Sequence, residues 1–152
     1  MTISQRFVCS VVFLSVAAWA SQAHAQLGVG SWVRTDEKAN GITMTVEECC
    51  KGGLRLIYHV QGAAGQPPIT MTVDSPMDGT EVPAMIAGKP SGQTMAIKRV
   101  DDRHYTAVVK MGGQVFGTSN ATLSADGKAL TVETLSQMSA KAEKVIETWV
   151  RK

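Results

Sequence analysis

From residue 30 to residue 151, apolar and polar side chains alternate at period two in short runs, each cut off by Gly, Pro, Asn or Asp. That period sends successive side chains to opposite faces of a strand, so the chain reads as short half-buried strands joined by hairpins. Gly30 to Thr35 predicts a first strand, and Asp36 to Gly41 a loop. Ile42 to Glu47 alternates without a fault before Lys51-Gly52-Gly53 turns the chain. Leu54 to Val60 then places Leu54, Leu56, Tyr58 and Val60 on one face, and Ile69 to Asp74 alternates again. Between Ser75 and Gly92 the pattern is broken by Pro76, Gly79, Pro83, Gly88 and Pro90, and supports only one short strand through Glu81 to Ile86.

Regular alternation returns in Gln93 to Val100 and in His104 to Met111, where Tyr105, Ala107, Val109 and Met111 share a face. Gly112-Gly113 is a two-residue hairpin signal, because the favoured turn needs positive φ at both central positions. Gln114 to Ser124, Ala129 to Gln137 and Glu143 to Arg151 complete the series, with a tight turn at Ala125-Asp126-Gly127-Lys128. The expectation is an all-β antiparallel up-and-down meander of about eight to ten strands, closed into a barrel because closure removes exposed strand edges. A two-sheet sandwich would need longer crossing connections than most of these hairpins supply.

The first 25 residues do not follow this pattern. Arg6 precedes the apolar run Phe7 to Ala20, which is too short for a permanent span, and Ala23-His24-Ala25 supplies the small residues of a cleavage site. Residues 1–25 therefore read as an export signal and residues 26–152 as one domain, periplasmic or secreted in a Gram-negative bacterium. Loss of Arg6 leaves 14 Lys+Arg against 13 Asp+Glu, a nearly neutral domain with no basic stripe for nucleic acid and no further membrane span. Of the cysteines only Cys49 and Cys50 remain, and neighbours in sequence close no loop. Two thiols on opposite faces, a vicinal disulfide and an intermolecular bond are all compatible with that pair.

Gly30-Ser31-Trp32 on the first strand resembles the Gly-x-Trp that opens lipocalins and related calycin barrels, and Arg151 stands where those barrels place an Arg over the Trp. Residues 93–152, with Lys110-Met111-Gly112-Gly113-Gln114-Val115 and Ser124-Ala125-Asp126-Gly127-Lys128, are similar to small exported lipocalin-like bacterial proteins. The resemblance implies a barrel of the lipocalin or fatty-acid-binding type with an apolar interior able to hold a small ligand. It also implies that Trp32 and Arg151 close one end, as a cation–π lid worth about 1–2 kcal/mol when desolvated.

Seven methionines follow the leader, and Met44, Met71, Met95 and Met111 fall on the apolar phase of their strands. Flexible thioethers suit irregular apolar pockets, so the candidate interior lining is Met44, Leu56, Tyr58, Met71, Met95, Tyr105, Val109 and Met111. Thioether, thiol and imidazole are also soft-metal ligands, but no Met-x-x-Met or His-x-Met cluster occurs, and no metal or other cofactor is expected. His59 and His104 lie alone on polar phases, and the adjacent carboxylates Glu47-Glu48 and Asp101-Asp102 read as solvated charge. Without a nucleophile motif or a phosphate-cradling loop, the expected function is non-enzymatic binding of a small apolar or amphipathic molecule. The alternative is a filled barrel acting as a structural or interaction module.

Overall fold

The computed structural model describes residues 27–152 except 40, 63 and 138–141, so the proposed signal and Met138 lie outside the described residues. Ten strands form the fold: β1 (Gly30–Arg34), β2 (Thr43–Cys49), β3 (Gly53–Val60), β4 (Ile69–Ser75), β5 (Asp78–Ile86), β6 (Lys89–Arg99), β7 (His104–Met111), β8 (Gln114–Leu123), β9 (Ala129–Ser136) and β10 (Glu143–Arg151). Each pairs antiparallel with its sequence neighbours, and β1 pairs with both β2 and β10 to close the barrel. The predicted all-β up-and-down barrel is therefore the observed fold.

The irregular stretch from Ser75 to Gly92 is more ordered than its sequence predicts. β5 runs nine residues rather than the short Glu81 to Ile86, and β6 begins at Lys89 rather than Gln93. Register shifts between Asp78 and Glu81 and between Pro83 and Met85 absorb Gly79 and Pro83 without ending the strand. The β5–β6 turn places Ala87 and Gly88 at φ 49° and 75°, a left-handed pair without the usual Asn-Gly signal. Gly112 and Gly113, at φ 55° and 83°, make the β7–β8 hairpin as predicted.

The core follows the inward phase of the strands. Trp32, Val46, Val73 and Leu123 are fully buried, with Met44, Leu54, Leu56, Ile97, Tyr105, Leu130 and Trp149 nearly so. One interior row crosses five strands through register partners: Arg151 to Trp32, Trp32 to Met44, Met44 to Tyr58, and Tyr58 to Met71. Gly53 is required by close approach, since a Cβ there would stand 2.3 Å from the Ser75 carbonyl oxygen.

One end of the barrel is stoppered by the segment preceding β1. Leu27 is buried there, and its N–H donates to the Tyr105 hydroxyl at 2.8 Å. Arg151 donates from Nη2 to the Val29 carbonyl, and its guanidinium lies against the backbone at Gly28 and Gly30. Arg151 is thus a strap over the N-terminal segment beside its register partner Trp32.

Trp32 packs wholly inside the seam, but its Nε1 has no hydrogen-bond partner among the described residues. Truncation therefore removes a large apolar volume, whereas Trp32→Phe also removes an orphaned donor. Trp32→Ala is expected to cost about 3–5 kcal/mol in urea unfolding, and Trp32→Phe less than about 1.5 kcal/mol. Equal costs for the two variants would contradict this account of the seam.

Candidate ligand-binding cavity

The cavity arises from unequal side chains on the inward phase. β1, β3 and β10 send in Trp32, Tyr58 and Trp149, whereas β8 lines the middle of the cavity with Gly117, Ser119 and Ala121 between Phe116 and the buried Leu123, and β7 adds Ala107 beside Ser119. Small residues facing large ones leave the interior unfilled over about 350 Å³. That volume lies at the lower bound of small-molecule sites.

Seven of the eight predicted lining residues surround this space: Met44, Leu56, Tyr58, Met71, Met95, Tyr105 and Val109. Met111 does not. It keeps the inward phase, opposite Gln93, but sits at the rim beside the β7–β8 hairpin and is 45% exposed. Alternation identifies a face, not how far along the barrel the cavity extends, and Met111 lies beyond its end. Exposed Ile69 and Ile86 stand at the same end of the barrel, opposite the Leu27 stopper.

The pattern analysis missed Arg34 and Glu147, the two charged side chains in the cavity wall. Their signal was present: Arg34 is two residues from Trp32 and Glu147 two from Trp149, so alternation turns both inward. Arg34 forks onto Asp36 with Nε–Oδ2 2.6 Å and Nη2–Oδ1 2.9 Å, and its Nη1 reaches Glu147 at 3.1 Å. Asp36 also accepts the backbone N–H groups of Lys38 and Thr148, while Glu147 accepts Trp149 Nε1 at 3.2 Å. Trp149 in turn meets Tyr58 edge-to-face, with centroids 6.1 Å apart. Burial, and then the negative field of Glu147, push the Tyr58 hydroxyl pKa upward. Ser119 and Thr134, also in the wall, bond to each other at 2.8 Å.

The other predicted features lie outside this space. Cys49 and Cys50 are joined as a vicinal disulfide at the tip of the β2–β3 hairpin, where Cys50, Lys51 and Gly52 all have positive φ. Cys49 borders an external groove shared with Leu27, Val29 and Glu48. His59 and His104 are exposed, as are Glu47 and Glu48. Asp101 accepts the backbone N–H groups of Arg103 and His104 and so organises a turn. No group of three or more His, Cys, Asp or Glu among the described residues could hold a metal ion, and no described helix is long and apolar enough to cross a membrane. Comparison with protein-family models, with curated proteins and with solved structures found no match.

The Arg34 fork is the largest influence holding the Asp36 carboxyl down, from an ordinary 3.8 to about 2. A depressed carboxylate stabilises the fold above its unfolded pKa and loses that contribution as pH falls through its folded pKa. With partial solvent screening, Asp36 is expected to supply about 1–2 kcal/mol that disappears between about pH 4 and pH 2. Asp36→Asn should flatten the urea midpoint over that window, and an unchanged acid profile would rule the fork out as its source.

Proposed function

We propose that this chain is an exported, non-enzymatic barrel of the lipocalin-like type that holds a small apolar or amphipathic molecule in its interior. The single observation that carries the reading is the 350 Å³ cavity, walled mainly by methionine, aliphatic and aromatic side chains. Such a space costs packing contacts that a filled barrel would make, and a ligand would restore them. The thioethers of Met44, Met71 and Met95 adapt to ligands of different outline, and the few polar wall groups would orient one end of the molecule. An open interior favours this reading over a filled interaction module.

Export is supported by the leader pattern of residues 1–25 and by the Cys49–Cys50 disulfide, a bond that persists in oxidising compartments. The non-enzymatic part of the reading rests on the sequence, which carries no recognisable catalytic motif, and in the wall Ser119 pairs with Thr134 and Arg34 with Glu147.

Native mass spectrometry and calorimetry with 1-octanol test the proposal. One equivalent should bind the wild-type barrel. Ala107→Phe, which projects a ring into the cavity beside Ser119, should weaken binding at least about tenfold while retaining the β-sheet circular-dichroism signal. A folded wild-type protein that takes up no 1-octanol, or an Ala107→Phe variant that binds it equally well, would overturn the reading.

A further inference from the structure

The charge of the cavity wall narrows the ligand class. Arg34 would be the natural anchor for an acid, but its Nε, Nη1 and Nη2 each already face a carboxylate oxygen. Asp36 takes two of those nitrogens in a bidentate pair and balances the guanidinium charge. Glu147 is then left as an excess negative charge, and it lines the cavity with its side chain 28% exposed. Its oxygens accept only from Arg34 Nη1 and Trp149 Nε1 among the described residues, so acceptor capacity remains.

The surroundings of Glu147 suit a cation in a second way. The Tyr58–Trp149 pair stands beside it in the same wall, and aromatic π-systems attract ammonium groups. Burial is the main cause of the raised Tyr58 pKa, and the negative field of Glu147 is the second. A carboxylate ligand would meet that field unfavourably, a neutral ligand would ignore it, and an ammonium would be drawn to it.

Building on the interior-binding reading, we propose that the ligand is a small cationic amphiphile, an apolar chain or ring bearing an amine, with its ammonium beside Glu147 and the Tyr58–Trp149 pair. Its apolar part lies among the methionines, and the cavity volume suits a small molecule. The barrel therefore selects by charge at one end and by volume at the other.

Octylammonium, 1-octanol and octanoate share one chain length and differ in headgroup charge, so calorimetric titration of the full mature barrel with each isolates the effect. At low ionic strength octylammonium is expected to bind roughly tenfold more tightly than 1-octanol, and octanoate more weakly than both. Glu147→Gln should bring octylammonium and 1-octanol to within about twofold of each other. In the wild type the preference should shrink as salt is raised. Octanoate or 1-octanol binding as tightly as octylammonium would overturn the charge assignment while leaving interior binding intact. A Glu147→Gln variant that keeps the preference would do the same. Failure of all three probes to bind would overturn both readings.

Discussion

β1 closes the barrel with five residues, and its single fully buried side chain, Trp32, joins the two ends of the meander. Every other seam connects strands adjacent in sequence, so each forms around a local turn. The β1–β10 seam alone unites strands more than a hundred residues apart, and the chain must bear the entropy of that closure. Burial of Trp32 between Met44 and Arg151 offsets part of that cost, and the backbone bonds Thr35 N to Thr148 O and Lys152 N to Ser31 O fasten the seam at both ends. The Leu27 stopper and the Arg151 strap depend on it, because both need the first and last strands side by side.

Closure also determines what the interior can contain. A ten-strand barrel has more internal room than its side chains fill when one wall carries Ala107, Gly117, Ser119 and Ala121. Trp32, Tyr58 and Trp149 stand around the closing seam, while Tyr105 and Phe116 reach the cavity from β7 and β8. Packing and open space thus fall on different strands: Trp32, Trp149 and Tyr58 pack around the seam, and the small residues of β7 and β8 leave interior volume unfilled.

The Arg34, Asp36 and Glu147 group stands where these two demands meet. β1 stops at Arg34, and Asp36 in the following loop both pairs the guanidinium and accepts the Thr148 N–H from β10. The same contacts terminate the strand, tie its end to β10 and leave one net negative charge in the cavity wall. The vicinal disulfide is separate from this chemistry. It lies at the stoppered end, bordering the groove beside Leu27, and stiffens a hairpin rather than closing a loop.

Period-two alternation by itself determined the class of the fold, most strand positions and the inward face of each, because that period is a local property of the extended backbone. Met44, Tyr58 and Met95 could be placed inside on those grounds alone. The exclusion of Met111 from the cavity required the tertiary structure, since depth along a barrel depends on strand stagger rather than on phase. The β5 strand was hidden because Pro83 and Gly79 argue against pairing until the bulges that accommodate them are seen. Arg34 and Glu147 carried the correct phase but were masked by their charge, which ordinarily signals solvent. Only the fold brings them, 113 residues apart in the chain, close enough to share a proton-donating contact, and so only the fold decided the charge of the cavity.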